Sequence, residues 1–158
     1  MLACHPEWRL DLAGEGAERG LVLERAAGLP NVIYHGVLPY AEALAMSYAA
    51  DVLPAFYDPS IPNHRYASPN KLYEGMMLGR PVLAARHTGF DRLVAELDCG
   101  LVMEYGNKSQ IEAALRSLEE PALRLRLGEN GRRAYDQIYA WPRMAQRLVD
   151  LYAGLEAA

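Results

Sequence analysis

The residues best suited to carry chemistry stand in one short stretch, residues 66–84, which reads YASPNKLYEGMMLGRPVLA. Lys71 and Glu74 lie three positions apart, and the apolar residues around them predict that both are on one short helix. A lysine in the first turn of a helix, beside free backbone amides, suits a phosphate or diphosphate. A carboxylate among apolar residues can accept two hydrogen bonds from the hydroxyl groups of a ribose. The stretch therefore predicts an anion site with a neighbouring sugar-binding carboxylate.

Capping residues, prolines and a glycine predict the helix and strand that position Lys71 and Glu74. Ser68 is a suitable helix N-cap, and Pro69 suits the first helical position, where no amide hydrogen is needed. Gly79 is expected to end the helix, and Pro81 follows where a helix cannot continue. Residues 82–84, Val-Leu-Ala, predict a short buried parallel strand. The start of this helix is therefore expected to point out of an edge of an α/β sheet.

Each of these residues also has a purely structural interpretation. Most glutamates are solvated or ion-paired, and spacing alone would make Lys71 an ordinary surface lysine. The largely apolar surroundings of Glu74 favour a functional role for that carboxylate. Ser68 and Asn70 equally fit the role of helix caps, and for Ser68 capping is the stronger interpretation. A capping role and a ligand-binding role are compatible, so both stay open.

The other motifs indicate little chemistry of their own. The sequence GEG at residues 14–16 follows a predicted strand, but it is not a complete GxGxxG, and no GxxxxGK[ST] phosphate loop occurs. The four histidines have no metal-binding spacing, no Asp-x-Asp is present, and no order of residues suggests a nucleophilic triad. His64 and Arg65, in a long loop just before Tyr66, are weaker candidates for substrate contact.

Alternating strands and helices fill the chain up to about residue 108. Strands are predicted at residues 8–13, 31–35, 51–56, 82–84 and 100–105, with helices between them, the first over residues 17–27. Three further helices are predicted from Ser109 to the end. Ser109 is expected to cap the first of them, Pro121 to begin the second, and Gly128 and Gly131 to weaken the middle of the second. This alternation predicts an α/β fold, a Rossmann-like parallel sheet with helices on both faces and right-handed crossovers. Pro54, inside the third strand, suggests that the end of that strand bends or lies unpaired. Ligands of such sheets bind at the carboxyl ends of the strands.

The composition excludes several classes of protein. The 158 residues suit one domain, predicted over 1–158 with a helical C-terminal segment at 109–158. A formal charge of −4 without a basic stripe argues against nucleic acid as a partner. No apolar run approaches the roughly 20 residues that span a bilayer, and the first residues do not form a secretory signal. With only two cysteines present, the sequence favours a reducing compartment.

Five motifs, taken in order, resemble the C-terminal, donor-binding half of GT-B glycosyltransferases, specifically the group 1 (family 4) retaining enzymes. The matching segments are WRLDLAGEG at 8–16, NVIYHG at 31–36, ADV at 50–52, SPNKLYEGMMLGRPV at 68–82 and CGL at 99–101. Each segment alone is weak evidence. Their order across nearly the whole chain, together with the SPNK segment and the Glu, Gly and Pro that follow, is specific.

The resemblance implies a role for each matching residue. Family members carry a Glu–seven residues–Glu motif, whose second Glu falls on Glu74 and would bind the ribose. The first Glu, which contacts the donor sugar, would fall at position 66, where this sequence has Tyr66. Backbone amides of residues 67–71 and the side chain of Lys71 would face the diphosphate, and residues 36–38 would lie against the nucleobase. The implied donor-binding set is Gly14, Gly16, Gly36, Val37, Leu38, Tyr66, Ala67, Ser68, Pro69, Asn70, Lys71 and Glu74, with Lys71 and Glu74 as the catalytic pair.

The resemblance also implies that the chain is a fragment of the donor-binding domain. The family's domain begins with one further strand and helix, and that strand is central in the expected order 3-2-1-4-5-6. Without it, the strands near Trp8 and Asp51 would face a gap or pair directly with each other. Because unpaired central strand edges are costly and promote association, poor stability of the chain is expected.

The expected activity is transfer of a sugar, with retention, from a UDP-, GDP- or ADP-linked donor to an acceptor hydroxyl, in polysaccharide or glycoconjugate biosynthesis. No cofactor and no metal are expected, and the partner would be an N-terminal acceptor domain, without which the chain would be inactive. A cytoplasmic location is implied, with at most peripheral contact to the inner face of the membrane. Two alternatives stay open, a GT-B nucleotide-sugar epimerase and a non-enzymatic Rossmann-like nucleotide-binding module.

Overall fold

The computed structural model describes residues 2–156, which divide into two compact units, residues 2–49 (unit 1) and residues 50–156 (unit 2). Met1 and residues 157–158, the last two of the predicted helical segment, lie outside the described residues. The single domain predicted over 1–158 stays a prediction, and each unit is described by itself.

Unit 1 is a two-stranded parallel sheet with two helices. Its elements are a 3₁₀ turn at Leu2–Cys4, β1 (Leu10–Leu12), α1 (Arg19–Ala26), β2 (Val32–Tyr34) and α2 (Tyr40–Ala49). Leu10 lies opposite Val32 and Leu12 opposite Tyr34 in a parallel register. The strands and α1 lie where they were predicted, and all three are shorter than predicted.

Polar contacts, more than a buried core, hold unit 1 together. Among its described residues only His5 is buried, and its ring stacks on Trp8 at 4.0 Å between ring centroids. The side-chain amide of Asn31 lies 3.1, 3.0 and 2.8 Å from the carbonyl oxygens of Leu2, His5 and Trp8. Such a unit buries little apolar surface, so little hydrophobic stabilisation comes from within it.

An ion-paired cluster links the two strands of unit 1. The carboxylate of Asp11 in β1 accepts hydrogen bonds from the Arg9 guanidinium at 2.7 and 2.8 Å and lies 2.6 Å from Nε2 of His35. The hydrogen bond from Arg9, and to a smaller extent the contact with His35, hold the pKa of Asp11 below its usual range. This cluster joins residues flanking β1 and β2 in addition to the backbone ladder.

Unit 2 is a three-stranded parallel sheet in the order β3-β4-β5, with helices on both of its faces. Its elements are β3 (Leu53–Ala55), a 3₁₀ turn at Pro62–Arg65, α3 (Asn70–Leu78), β4 (Val82–Ala85), α4 (Asp91–Glu96), β5 (Gly100–Met103), α5 (Lys108–Ser117), α6 (Pro121–Ala134), a π-helical turn at Tyr135–Tyr139 and α7 (Trp141–Glu156).

Strand β4 is the centre of unit 2, because all four of its residues are buried and it pairs on both edges. Val82 and Ala84 pack with α3 and α4 on one face, and Leu83 packs with α5 and α6 on the other. This two-residue alternation confirms the predicted α/β fold with helices on both faces of a parallel sheet. In the described part of the chain β1 pairs only with β2, and β3 only with β4, so the direct pairing considered for the first and third strands does not form.

Strand β3 shows why Pro54 is tolerated within it. The strand pairs on one side only, where Pro54 lies opposite Leu83 and Ala55 opposite Ala84. An edge strand leaves alternate backbone groups outside the ladder, so a residue without an amide hydrogen fits there. The strand therefore continues in register through Ala55 on its paired side.

The start of α5 differs from the predicted one. Ser109 was expected to cap this helix, but Asn107 is the N-cap, and its side-chain oxygen accepts a hydrogen bond from the amide of Gln110 at 3.1 Å. The Ser109 hydroxyl donates to the same oxygen at 2.8 Å. Asparagine is as good a cap as serine, and here the cap lies two residues earlier than predicted. The prediction that Pro121 begins the next helix is confirmed.

Two glycines of α6 have a packing role that the sequence did not reveal. They were expected only to weaken the middle of the helix, but both are buried against α3 and its surroundings. A Cβ atom on Gly128 would lie 2.1 Å from the carbonyl oxygen of Gly79, and one on Gly131 would lie 3.2 Å from Cβ of Cys99. The glycines therefore allow the backbones of α3 and α6 to approach closely.

The two cysteines are expected to differ sharply in reactivity. Cys99 is 1 % exposed, and burial raises the pKa of its thiol to about 11, whereas Cys4 is exposed. Because the thiolate is the reactive form, Cys99 should be inert at neutral pH. A thiol reagent should therefore titrate one thiol in the native chain and two in denaturant. Two fast-reacting thiols in the native chain would contradict the burial of Cys99.

The raised pKa of Cys99 predicts how the free energy of unfolding changes with pH. Its thiol keeps its proton in the folded state up to about pH 11, but in the unfolded chain it loses the proton near its ordinary value of 9.0. Between these values the unfolded state binds fewer protons, so the free energy of unfolding should fall as the pH rises. The fall should be smaller in a Cys99→Ala variant, compared over the same pH range by denaturant unfolding.

Candidate functional site

The predicted site residues of unit 2 lie at the carboxyl ends of its strands. Strand β3 ends at Ala55, the chain crosses a loop, and α3 begins at Asn70. Because β3, β4 and β5 are parallel, their carboxyl ends share one edge of the sheet, and the start of α3 lies at that edge. Ligands of open parallel sheets bind outside this edge. Residues 66–71 therefore occupy the expected position for a ligand-binding segment.

Helix α3 begins differently from the prediction. Pro69 is the N-cap, with φ −74° and ψ 136°, and its side chain offers no acceptor to the helix amides. The predicted N-cap, Ser68, makes no capping hydrogen bond, because its hydroxyl lies 2.7 Å from the hydroxyl of Tyr73. The first backbone hydrogen bond at this end runs from Leu72 to the carbonyl of Pro69 at 3.0 Å. The amides of the first turn thus have no side-chain cap.

Glu74 and Lys71 are both without a protein partner in the described residues. Glu74 is half-buried in α3, between the buried Leu72 and Gly75, and makes no hydrogen bond or ion pair with residues 2–156. Lys71 is exposed and likewise has no carboxylate partner among the described residues. A half-buried carboxylate without a partner loses solvation without compensation, so it favours a ligand that donates hydrogen bonds.

Helix α3 is held firmly at its other end and along its buried face. Gly79 is its C-cap, with φ +65°, as predicted from the sequence. A Cβ on Gly75 would lie 2.6 Å from Cγ2 of Val82, so the residue after Glu74 must be small for the helix to rest on β4. The guanidinium of Arg132 in α6 donates to the carbonyl of Met77, where a cation favours a helix C-terminus.

The loop before α3 is stabilised by its own side chains. Nδ1 of His64 donates to the carbonyl of Asp58 at 3.0 Å, and Nε of Arg65 donates to the carbonyl of Pro59 at 2.9 Å. These contacts explain the positions of the His64 and Arg65 side chains without any ligand. The side chain of Tyr66, in contrast, is 87 % exposed, and its hydroxyl makes no hydrogen bond with the described residues. Its ring is open to solvent at the position expected for sugar contact.

The turn after β4 approaches this loop closely. Gly89 has φ +74°, and a Cβ there would lie 2.4 Å from the carbonyl oxygen of Arg65 and 3.7 Å from Cα of Tyr66. Tyr57 connects the same two segments, because its ring makes edge contacts with His64 and with Phe90. The turn after β4 thus packs directly against the backbone that carries Tyr66.

The predicted site residues of unit 1 also lie at the carboxyl ends of their strands. The amide of Gly14, which has φ +135°, donates to the carbonyl of Gly36 at 2.8 Å, and the hydroxyl of Tyr34 donates to the carbonyl of Gly14 at 2.6 Å. The two glycine turns are therefore joined, and Gly16 follows in the first of them. Val37 is 68 % exposed at this edge, and Leu38 is partly buried.

The structure thus brings the predicted residues together as two groups, one within each unit. Gly14, Gly16 and residues 36–38 form the group of unit 1, and residues 66–71 with Glu74 form the group of unit 2. Sequence reasoning missed the hydroxyl of Tyr73, for which no local pattern exists, and the packing role of Gly75. Within residues 2–156, no three side chains of His, Cys, Asp or Glu cluster as metal ligands would.

Comparison with known proteins establishes the family. The family model "Glycosyl transferases group 1" matches residues 2–120, three quarters of the chain. The chain belongs to the group 1 glycosyltransferases. This confirms the resemblance inferred from the five motifs, and the two parallel sheets flanked by helices agree with the GT-B fold of the group 1 glycosyltransferases.

Two solved structures resemble this group 1 glycosyltransferase chain. Sucrose-phosphate synthase from Thermosynechococcus elongatus is 27% identical, with a TM-score of 0.75 over 99% of this chain and 41% of its own. WaaG, a glycosyltransferase involved in lipopolysaccharide biosynthesis, is 24% identical, with a TM-score of 0.68 over 87% of this chain and 36% of its own. The chain therefore spans about two fifths of the length of these proteins. A search of curated proteins found no match. Among the described residues, no helix is both long and apolar enough to cross a membrane.

Proposed function

We propose that this chain supplies the donor-binding half of a retaining glycosyltransferase that uses a nucleotide-sugar. Family membership supports sugar transfer as the chemistry. The observation that carries the proposal is Glu74, a half-buried carboxylate without a protein partner in residues 2–156, one turn beyond the exposed Lys71. The acceptor would be bound by a part of the protein outside this chain.

In the proposed reaction, an acceptor hydroxyl oxygen forms a bond to the anomeric carbon of the donor sugar. The bond between that carbon and the diphosphate oxygen breaks, the nucleoside diphosphate leaves with the bonding electrons, and the hydroxyl proton is released. Negative charge develops on the leaving diphosphate, and Lys71 and the uncapped amides at the start of α3 would stabilise it. No residue of this chain needs to become covalently attached to the sugar.

The remaining residues have proposed roles in holding the donor. Glu74 accepts hydrogen bonds from the two ribose hydroxyls, which orients the nucleotide. For unit 1, taken by itself, we propose that the exposed Val37 and the partly buried Leu38 offer apolar contact to a nucleobase. Tyr66 offers its phenol ring and hydroxyl where other family members have a glutamate, so we propose sugar contact through stacking or a single hydrogen bond. The scheme requires no metal or cofactor, and a cytoplasmic location remains part of the proposal.

The proposal is tested by titrating the chain with UDP, GDP and ADP and repeating the titration on a Glu74→Ala variant. A hydrogen bond to a charged acceptor is worth roughly 1.5–3 kcal/mol, so affinity for the best nucleotide should fall about 10- to 100-fold for each ribose hydrogen bond that is lost. The matched ligand control is the 2′,3′-dideoxy form of the same nucleotide, which lacks both hydroxyls. Glu74→Ala should leave the affinity for that analogue unchanged.

The two titrations separate the roles of Glu74. An equal loss for the nucleotide and its dideoxy analogue would mean that Glu74 acts by shaping α3 and not by binding the ribose. Unchanged affinity for both would exclude a role in binding. A wild-type chain that binds none of the three nucleotides would contradict the donor-binding function itself.

A further inference from the structure

Helix α3 begins without a side-chain cap, as α4 does, whereas α5 and α6 are each capped by a side chain. In α5 the side chain of Asn107 caps the amide of Gln110, and in α6 the side chain of Glu120 caps the amide of Ala122. In α3 no side chain does so, although Ser68 stands two residues before the first helical residue. A serine in that position commonly bonds an amide two or three residues later, which here would be that of Asn70 or Lys71.

The hydroxyl of Tyr73 explains why Ser68 does not cap the helix. It lies 2.7 Å from the hydroxyl of Ser68, so the Ser68 side chain is turned toward Tyr73 and makes no hydrogen bond to the amides of the first turn. The Tyr73 ring is fixed in place, because it packs against the apolar cluster of α3, β4 and α4 and lies 5.4 Å from the ring of Tyr139. Pro69, between Ser68 and the helix, has no side-chain acceptor to take its place.

We propose that Tyr73 is a positioning residue for donor binding, which holds Ser68 away from the first turn of α3 and so keeps the amides of Asn70 and Lys71 open to the donor diphosphate. This inference rests on the proposed function and adds a residue that does not itself touch the donor. Without the Tyr73 hydroxyl, Ser68 would cap the helix and compete with the ligand for the same amides. The competition would lower affinity by reducing the fraction of chains with an open site.

A double-mutant cycle on the 158-residue chain tests the inference. Tyr73→Phe is introduced in the wild-type background and in a Ser68→Ala background, and affinity is measured for whichever of UDP, GDP and ADP binds the wild type most tightly. An N-cap of ordinary strength corresponds to about a five-fold change in the equilibrium. Tyr73→Phe should therefore weaken binding about five-fold in the wild-type background and leave it unchanged in the Ser68→Ala background.

Amide hydrogen exchange without ligand gives a second, independent measurement. In Tyr73→Phe, exchange at Asn70 or Lys71 should slow about five-fold, because the released serine protects one of these amides, and Ser68→Ala should restore the faster exchange. Tyr139→Phe is the matched control, because it removes a hydroxyl from the neighbouring ring without touching Ser68. It should change neither the affinity nor the exchange of these amides.

Several results would overturn the inference. Equal weakening of binding by Tyr73→Phe in both backgrounds would mean that Tyr73 acts through packing, and unchanged exchange in Tyr73→Phe would mean that Ser68 does not turn to the amides. Failure of the wild-type chain to bind any of the three nucleotides, with the exchange pattern as expected, would contradict the proposed function and not the positioning of Ser68. The two failures are therefore distinguishable.

Discussion

Replacing Lys71 by alanine should lower the affinity of the chain for its nucleoside diphosphate about 30-fold and leave its affinity for the corresponding nucleoside unchanged. The reason is that Lys71 is exposed in the first turn of α3 without a carboxylate partner in residues 2–156, so its charge is available to the phosphates. A charge-assisted hydrogen bond is worth about 2 kcal/mol, which is the source of the expected factor. Isothermal titration with the two ligands measures the difference directly.

The chain provides a closely matched control for this prediction. It contains only two lysines, and the second, Lys108, is also exposed and also lies in the first turn of a helix, α5. Lys108→Ala removes the same charge from the whole chain, so it should reproduce any effect that arises from net charge alone. If Lys108→Ala weakens diphosphate binding as much as Lys71→Ala, the local role of Lys71 is wrong.

The prediction extends to turnover in the protein that carries the acceptor-binding part. Removal of a group that stabilises developing charge in a transition state typically lowers kcat by about 10² to 10³. Lys71→Ala should therefore reduce the rate of sugar transfer at saturating donor by roughly this factor. A change confined to KM would show that Lys71 contributes to donor binding and not to departure of the diphosphate.

Gly128→Ala should be strongly destabilising, lowering the free energy of unfolding by about 3 kcal/mol. The added Cβ would lie 2.1 Å from the carbonyl oxygen of Gly79 and 2.9 Å from its carbon, so α3 and α6 would have to move apart. Backbone atoms cannot turn aside as a flexible side chain can. Denaturant unfolding of the variant and the wild type measures the difference.

Gly154→Ala is the matched control for Gly128→Ala. Gly154 lies inside α7, and a Cβ there would have no atom within 4 Å. Because alanine favours a helix over glycine, this substitution should stabilise the chain by about 0.5–1 kcal/mol. Equal destabilisation by the two substitutions would show that the helical glycines matter for flexibility and that close packing of α3 on α6 does not limit stability.

The sequence predicted the classes of elements well where local chemistry decides them. Alternating apolar runs gave the five strands and the helices between them, and Gly79 and Pro121 marked helix ends that the structure confirms. The family motif around Glu74 was likewise readable, because the spacing of the conserved residue types is fixed by one helix. These features depend on residues close together in the chain.

The features that were missed depend on contacts between distant or unusual partners. The cap of α3 was predicted from Ser68 and Pro69 alone, but a hydroxyl one turn later, on Tyr73, engages Ser68 instead. Gly128 was predicted only to weaken its helix. Its packing role was missed because Gly79, which it contacts, lies 49 positions away in the chain and no local pattern indicates the contact.

The close contact between Gly79 and Gly128 bears on the entropy of ligand binding. Helix α3 has its C-terminal end against the backbone of α6 and its buried face against β4, so Glu74 and Lys71 extend from a support that is already ordered. In the proposed site, such a preorganised support leaves little conformational freedom to be lost when the donor binds. Loosening the contact between α3 and α6 would therefore weaken donor binding, because α3 would then have to become ordered when the donor binds.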